Sequence, residues 1–540
     1  MKSQISYLKS QILFLLIIIL AVIFRFNQLG VNPPALDWDE ASLGYNAYSI
    51  LKTGKDEFGR LWPISIRSFE DYKPAVYTYL TIPSITLFGL NEFAVRLPSA
   101  LAGILTVIFT YYLVKELLGE KIAILTAFFL AISPWHLQFS RVAFEANVAL
   151  FFVVSGLWCF LKGLKNPPWF IVSALLLTIS FYTYHSPRLV VPLVILGWTW
   201  HWRRIIWAQR KFVLVAVIVG TVLLIPFFRE AVGKGGARLA AVTVLNPEGR
   251  LEESITRIEF DRGRGDSLGA LLHNRRVVYT LAVAKGYLDH FNLDFLFLRG
   301  DSPDRHHARD MGMLYLIDAP LIFVGMLTLL NKKGSFPLFW WYLVAPAAAA
   351  ITTGTPHAVR ALLYLPIYQI FSAYGLLMII KYLRRQQNRH TYYISLFMLL
   401  GLILVNIFYY LQMYYFQTPI EASKDWNYGY KEAVSKSSQY DSQVDKIIMT
   451  YAYDQPHVFV LFYGKIDPAW YQAQVAGVEV KRELREFGKY EFRRIDWAKD
   501  QFLTHTLLIG TPGEIPDSAT GKVADIRFLD GTVAFRLVKR

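Results

Sequence analysis

Long apolar runs alternate with short polar segments along the chain from Ile12 to Met413. Each run is closed by a Lys/Arg cluster or by a Pro/Gly break, which is typical of a polytopic helical membrane protein. A wholly soluble protein is therefore excluded. The pattern predicts about eleven transmembrane helices, at residues 12–24, 95–114, 121–137, 146–164, 169–185, 189–202, 212–228, 312–330, 337–352, 359–380 and 391–413.

Two apolar segments need separate arguments. The run 12–24 has no small-residue cleavage site before Arg25, so we interpret it as the first spanning helix. A cleaved signal peptide is the weaker alternative. Segment 75–90 is interrupted by Pro83 and would be only about 24 Å long as a helix. We predict that it lies flat at the membrane interface.

Loop charge predicts the orientation. If segment 75–90 does not span, the Lys/Arg clusters all fall in loops on one side of the membrane, and the short loops on the other side hold only Arg141, Arg188 and Arg360. The positive-inside rule then places the N-terminus in the cytoplasm. The resulting organisation is an all-α membrane domain, residues 1–416, with exterior loops 30–94 and 229–311, followed by an exterior domain, residues 417–540.

The exterior tail is predicted to be a small soluble α/β domain. Its apolar periodicity favours helices at 421–436 and 456–463, and strands at 446–451, 506–510 and 532–538. Whether this domain selects an acceptor or only covers the site is left open by the sequence.

Composition narrows the function classes. Hydrophobic residues make up 54% of the 540 residues and charged residues 18%, below the roughly 25% charged residues of soluble domains. The net charge of +15 lies wholly in residues 1–416, because the tail carries 17 basic and 17 acidic residues. Basic loops between apolar segments indicate membrane orientation rather than nucleic-acid binding. The single cysteine, Cys159, excludes an intrachain disulfide and a cysteine metal cluster.

Two acidic groups in the first exterior loop could carry chemistry. One is Asp37-Trp38-Asp39-Glu40, and the other is Glu70-Asp71, which precedes Lys73. Acidic groups with a lysine in reach at a membrane surface can bind a cation, deprotonate a hydroxyl or hold a phosphate. A solvated loop is the competing interpretation.

Further polar residues fall at the same membrane face. Glu145 opens the fourth span, where a charge is costly unless it faces protein, water or a ligand, although an ion pair with Arg141 at the helix end is an alternative. Three segments pair histidine with arginine, and guanidinium groups suit phosphate oxygens. Together these residues predict an exterior interfacial active site. The segments contain His185 and Arg188, Arg305 and His306, and His357 and Arg360.

Several of these motifs resemble a known family. They are Asp39-Glu40 after the first span, Lys73-Pro74, Arg96–Gly103 (RLPSALAG), and the acidic residue that opens the fourth span. Over residues 1 to about 415 the chain resembles the polyprenyl-phosphate-sugar-dependent glycosyltransferases of fold class C. It is most similar there to bacterial family 39 members, which are related to protein O-mannosyltransferases and the lipid A aminoarabinose transferase.

The resemblance implies roles for individual residues. Asp39 becomes the candidate base with Glu40 beside it, Lys73 lies near the donor phosphate, and Glu145 occupies the second acidic position. Where the aminoarabinose transferases have a metal-ligating Glu before Lys-Pro, this chain has Tyr72. Whether the chain binds a divalent metal is therefore left open by the sequence, and the candidate ligands are Asp71, Glu145 and His306. The substrate-binding candidates are Lys73, Arg141, Glu145, His185, Arg188, His306, His357 and Arg360.

The predicted function is transfer of one sugar, with inversion, from a polyprenyl-phosphate carrier to an acceptor hydroxyl on the exterior face of a bacterial plasma membrane. The acceptor, whether protein, lipid or cell-envelope glycan, is not indicated. A transporter or flippase of lipid-linked sugars is the main alternative, although it should show ionisable groups at the membrane midplane and paired halves. Two further alternatives are a ligase that moves a preassembled glycan and a purely structural membrane scaffold.

Overall fold

The computed structural model describes residues 2–69, 71–230, 243, 247–386, 388–476 and 485–540. Helices dominate the chain up to residue 421, and a sheet lies in the tail. Before residue 231 the helices are α1 (Lys2–Phe26), α2 (Trp38–Thr53), α3 (Val76–Phe88), α4 (Glu92–Leu118), α5 (Glu120–Ile132), α6 (Pro134–Ser140), α7 (Glu145–Gly163), α8 (Trp169–Phe181), α9 (Pro187–His201), α10 (Arg203–Ala208) and α11 (Arg210–Glu230).

The later helices continue this mainly helical architecture. They are α12 (Pro247–Gly263), α13 (Gly269–Leu272), α14 (Arg275–Asp289), α15 (Asp318–Leu330), α16 (Phe336–Val344), α17 (Ala347–Ala350), α18 (Ile367–Gln386), α19 (Arg389–Gln412), α20 (Thr418–Glu421), α21 (Tyr430–Ser438), α22 (Pro456–Tyr463), α23 (Pro468–Val475) and α24 (Trp497–Asp500). Short π-helices lie at Asp294–Leu298 and Met413–Gln417, and 3-10 turns at Leu362–Tyr364 and Asp441–Gln443.

Six helices of the described chain are long and apolar enough to cross a membrane, and the bent pair α5–α6, with a 59° angle, makes up to seven. The other predicted spans coincide with shorter helices. The protein is thus a helical membrane protein, and the count of eleven spans stays a prediction. The six are Leu8–Phe26, Glu92–Leu118, Glu145–Gly163, Arg210–Glu230, Leu362–Arg385 and Arg389–Glu421.

Segment 75–90 forms the helix α3, which has Pro83 inside it. Its 13 residues give a length of about 20 Å, less than the roughly 30 Å hydrocarbon core. It packs between α2 and α4, and the Tyr77 hydroxyl donates to the carbonyl of Val95 at 2.9 Å. Its length agrees with the prediction that it does not span, while the orientation that depends on it stays a prediction.

The tail contains a six-stranded sheet, which consists of β3 (Lys446–Met449), β4 (Arg485–Phe487), β5 (Tyr490–Phe492), β6 (Thr506–Gly510), β7 (Lys522–Arg527) and β8 (Val533–Lys539). The order of the strands is β4-β5-β3-β6-β8-β7. The three strands β5, β3 and β6 run parallel, and the outer pairings are antiparallel. The predicted α/β class is confirmed. The predicted strand 506–510 coincides with β6, whereas β3 ends two residues before the prediction and β8 is shifted by one residue. A separate hairpin pairs β1 (Ser65–Ser68) with β2 (Asp71–Pro74).

The predicted helix 421–436 is wrong in its first half. Residues 422–429 form turns, and the helix α21 begins only at Tyr430. Asn427 and Gly429 both have positive φ, of 52° and 103°, and a right-handed helix cannot pass through such residues.

A continuous apolar core joins helix α2 to the tail. Leu43 and Tyr45 of α2 pack in the same buried cluster as Phe462 of α22 and Phe535 of β8. Gly44 of α2 lies so close to α22 that an added Cβ would come within 2.5 Å of the Phe462 ring. Glycine at this position therefore lets α2 approach α22, and the tail braces the loop that carries the candidate site.

Candidate active site

Most of the polar residues predicted for the active site line one cavity of about 180 Å³. Segments that lie far apart in sequence contribute to it, including the start of α2, strand β2, the start of α7 and the loops around residues 185, 305 and 357. The cavity has both acidic and basic walls. It is lined by Asp37, Asp39, Lys73, Pro74, Phe144, Glu145, Tyr184, His185, Arg305, His306, His357, Val359 and Arg360.

The first turn of α2 presents the acidic residues in fixed positions. Asp37 is the N-cap residue, and its carboxylate accepts from the backbone N–H of Glu40 at 2.8 Å. The Glu40 carboxylate in turn accepts from the backbone N–H of Asp37, which completes a capping box. Because such reciprocal bonds satisfy two otherwise unpaired helix donors, they fix the direction in which Asp39 projects.

Asp39 is held in an ion pair with Lys73 of the hairpin strand β2, and both residues line the cavity. The Lys73 side chain is 11% exposed and that of Asp39 is 43% exposed. Although burial alone would lower it, the pKa of Lys73 is raised by the nearby carboxylates of Asp39 and Glu145. Lys73 is therefore a cation at neutral pH, positioned between two acidic groups.

Glu40 points away from the cavity. Its two carboxylate oxygens accept from Nε and Nη2 of Arg96 on α4 at 2.9 and 3.0 Å. One of them also accepts from the backbone N–H of Ala143 at 2.9 Å. Both side chains of the ion pair are essentially unexposed. The RLPSALAG motif thus contributes a buried arginine that fixes the acidic loop from behind.

Arg305 is a further cation of the cavity, in addition to the predicted substrate-binding residues. It pairs with Asp37 at 3.2 Å and lies over the Trp38 ring, 4.3 Å from its centroid. Burial raises the pKa of Asp37 to about 7, with further increases from Asp39 and Glu40, and Arg305 opposes the shift. The only sequence signal for Arg305 was its place beside His306 in a mixed His/Arg segment.

A second polar cluster includes two histidines that line the cavity, His306 and His357. Nδ1 of His306 lies 2.6 Å from Oδ2 of Asp301, and the rings of His306 and His357 are 5.2 Å apart. Arg360 donates to the Thr352 hydroxyl and to the Thr353 carbonyl. Asp301, His306 and His357 are also the residues, among those that the structure describes, that are grouped closely enough to hold one metal ion.

His185 lines the cavity, and Arg188 contacts His185 on the side away from the cavity. Arg188 donates to Nδ1 of His185 at 2.6 Å and to the Phe181 carbonyl at 3.1 Å. Its guanidinium also lies 4.6 Å from the centroid of the Phe227 ring. Arg188 is not among the lining residues, so its contact with the cavity runs through His185.

Arg141, which was predicted to bind substrate, lies away from the cavity. It is 1% exposed and lies outside the cavity lining. Its guanidinium donates to the carbonyls of Phe24 and Asn32 and to the Tyr414 hydroxyl. These hydrogen bonds occupy the guanidinium that was predicted to bind phosphate. Arg141 instead connects the end of α1 to the segment that follows α19.

The structure does not bring the three metal ligands suggested by the sequence into one group. Glu145 and His306 both line the cavity, but Glu145 is not a member of the three-residue group around His306. Asp71 lies on strand β2, and its side chain falls outside the described residues.

Comparisons with known proteins identify a family match over part of the chain and solved structures with a similar fold. Residues 72–228 match the family model described as dolichyl-phosphate-mannose-protein mannosyltransferase. The structure resembles that of ArnT from Cupriavidus metallidurans bound to undecaprenyl phosphate, with a TM-score of 0.56, 14% identity and 97% of each chain covered. The apo structure of the same protein matches with a TM-score of 0.54, at 14% identity and 97% coverage of each chain.

Sequence relatives match only part of the chain. YkcB of Bacillus subtilis (strain 168), to which a mannosyltransferase activity is provisionally attributed, is 27% identical over 115 residues, which are 21% of this chain and 16% of that protein. An uncharacterised protein of Aquifex aeolicus (strain VF5) is 30% identical over 146 residues, 27% of this chain and 28% of that protein. The chain therefore matches less than a third of the length of these relatives. The predicted resemblance to the class-C glycosyltransferases is confirmed.

Proposed function

We propose that this chain, which has the fold of the class-C glycosyltransferases, transfers a single sugar from a polyprenyl-phosphate carrier to an acceptor hydroxyl. The observation that carries the proposal is the Asp39–Lys73 ion pair at the wall of a cavity lined by further carboxylates and guanidinium groups. Such a cavity offers a base for the acceptor and cations for a phosphate at the same place.

The donor phosphate binds among Lys73, Arg305 and Arg360. These three cations line the cavity, and arginine side chains can hold phosphate oxygens through two parallel hydrogen bonds. A phosphate that is neutralised in this way can leave without a general acid. The undecaprenyl phosphate named for the Cupriavidus structure supports a lipid-phosphate donor, and the polyprenyl tail extends into the bilayer along the apolar helices.

Asp39 acts as the base, and the donor itself activates it. Before the donor binds, Lys73 holds the carboxylate as an ion pair, and an adjacent positive charge makes a carboxylate a weaker base. When the phosphate arrives, it replaces Asp39 as the counter-ion of Lys73. The released carboxylate then accepts the proton of the acceptor hydroxyl while that oxygen attacks the anomeric carbon from the face opposite the phosphate, which inverts the configuration.

The remaining cavity residues position the substrates. Glu145 lies close enough to raise the pKa of Lys73, so it helps to keep this lysine charged, and His185 faces the sugar. The reaction takes place on the exterior side of the plasma membrane, to which the basic loops assign the cavity. Glu40 has a positioning role because its carboxylate is fully used by Arg96 and the backbone.

The test is a transfer assay with purified protein in lipid nanodiscs. The protein is incubated with a panel of radiolabelled polyprenyl-phosphate sugars and membrane extract, and the labelled fraction is identified as lipid, protein or glycan. We expect label to leave one donor and to appear in one acceptor class, with the anomeric configuration inverted. Movement of intact donor across the bilayer without transfer would overturn the proposal in favour of a flippase.

A further inference from the structure

We propose that Asp301, His306 and His357 form a binding site for a single first-row divalent metal ion, of the kind represented by Zn²⁺, at the edge of the cavity. This ligand set differs from the candidates that the sequence suggested, since it shares only His306 with them. The proposal concerns binding and does not depend on the glycosyl-transfer reaction.

The three residues are brought together from two separate loops. One potential ligand atom from each of them lies within 4.8 Å of the other two. Zinc–nitrogen bonds of 2.0–2.1 Å in a tetrahedron place ligand atoms about 3.4 Å apart. Small side-chain rotations would therefore close the group around an ion without moving the backbone.

Two buried polar atoms in the group lack hydrogen-bond partners. Oδ2 of Asp301 accepts from the backbone N–H of Ala358 and contacts His306, whereas Oδ1 of Asp301 is buried with no partner. Nδ1 of His357 is likewise buried without a partner. Asp301 is only 6% exposed, and an unsatisfied buried carboxylate oxygen costs free energy. A metal ion would satisfy both atoms at once.

The donor types indicate which metals fit. Two imidazoles and one carboxylate are the protein ligands of several zinc enzymes, and they leave one coordination position for water or a substrate. Mg²⁺ and Ca²⁺ prefer oxygen ligands throughout. His306 and His357 line the cavity, so an ion held here would border the space proposed for the donor phosphate. It would also tie the loop of Arg305 to the loop of Arg360.

The experiment measures metal binding directly. The full chain is purified with an affinity tag that contains no histidine, stripped with a chelator and titrated with Co²⁺, whose visible absorption reports nitrogen ligation. Zn²⁺ affinity is then obtained by competition. We expect one ion per chain, and no displacement by millimolar Mg²⁺ or Ca²⁺.

Variants identify the ligands. Asp301→Asn, His306→Ala and His357→Ala should each weaken Zn²⁺ binding by more than about 100-fold, beyond the 10- to 100-fold that loss of a residue behind a ligand costs. His185→Ala, which removes another cavity histidine, is the matched control and should keep the affinity. If the wild-type chain binds no Co²⁺, or if all three variants bind as tightly as wild type, the proposal is wrong. This readout needs no turnover, so it remains decisive if the proposed reaction fails.

Discussion

Asp37 and Asp39 are two residues apart, yet their surroundings differ sharply. The Asp37 side chain is 3% exposed and caps α2, whereas that of Asp39 is 43% exposed and faces Lys73. The acidic group could be found from the sequence because three carboxylates beside the first span are conspicuous. The division of roles could not be predicted, since it depends on the N-cap geometry and on Arg305, which is 268 residues away from Asp37 in sequence.

The substitution Asp39→Asn should lower transfer by about 10² to 10⁴-fold, the usual contribution of a positioned base. Asparagine keeps the size of the side chain but cannot take the acceptor proton. Donor binding, measured by retention of labelled polyprenyl-phosphate sugar, should persist because the cations are unchanged. Wild-type transfer rates in this variant would refute the role of Asp39.

The substitution Asp37→Asn should change the pH dependence of stability. Since the pKa of Asp37 is raised to about 7, its ionisation destabilises the folded state, and the wild type loses stability from about pH 4 to pH 7 as the pH rises. The variant escapes this loss. Its Tm relative to wild type, measured by differential scanning fluorimetry in detergent, should therefore be higher at pH 8 than at pH 5.

The control for this experiment is Asp530→Asn. A hydrogen bond from the Thr532 hydroxyl lowers the pKa of the exposed Asp530, so this group titrates below the range tested. Its substitution should shift Tm equally at both pH values. A Tm difference for Asp37→Asn that does not rise between pH 5 and pH 8 would contradict the assignment.

At the scale of elements, the long apolar helices were predicted more successfully than the short strands and the contacts between elements. An apolar run specifies a buried helix by itself, and so α4, α7 and α18 follow from hydrophobicity alone. The short strands β4 and β5 were missed, because three-residue strands carry too little periodicity. The contact of α2 with α4 was also missed. Adjacent helical residues diverge by about 100°, which sends Asp39 to the cavity and Glu40 to the core.

Breaking the Glu40–Arg96 pair between α2 and α4 should destabilise the fold strongly. Glu40→Gln leaves the guanidinium of Arg96 buried without a counter-charge, and losing one partner of a buried pair typically costs about 3–5 kcal/mol. Lys499→Met removes the surface pair with Asp496, in which the two side chains are 84% and 49% exposed, and should cost about 0–1 kcal/mol. Both are measured as free energies of unfolding in detergent. Equal effects would show that burial does not govern these pairs.

At the scale of the whole molecule, the membrane character follows from composition, but the relation of the tail to the membrane region does not. The sequence divided the chain at residue 417, and this boundary stays a prediction. The structure shows apolar side chains from both sides of it in one buried cluster. Such long-range packing leaves no periodic signal, because each contributing segment is short.

Orientation is tested by thiol labelling in intact cells. Cysteines placed at Lys332 and Arg385 should be protected from a membrane-impermeant reagent, because both positions belong to the predicted cytoplasmic loops. A cysteine at Ser438, which is exposed, should react. The native Cys159 is buried and provides a low background. Labelling at Lys332 from outside would invert the topology and place the cavity in the cytoplasm.

The apolar core shared by α2 and the tail has a consequence for biosynthesis. Leu43 and Tyr45 pack against Phe462 and Phe535, which the ribosome adds more than 400 residues later. Because domains generally fold in the order of synthesis, helix α2 must wait, partly unpacked, while the intervening apolar helices are synthesised. Its capping box and ion pairs reach their final surroundings only when β8 has been made. The candidate site is therefore completed only when synthesis of the chain is nearly finished, and not while the earlier helices are being assembled.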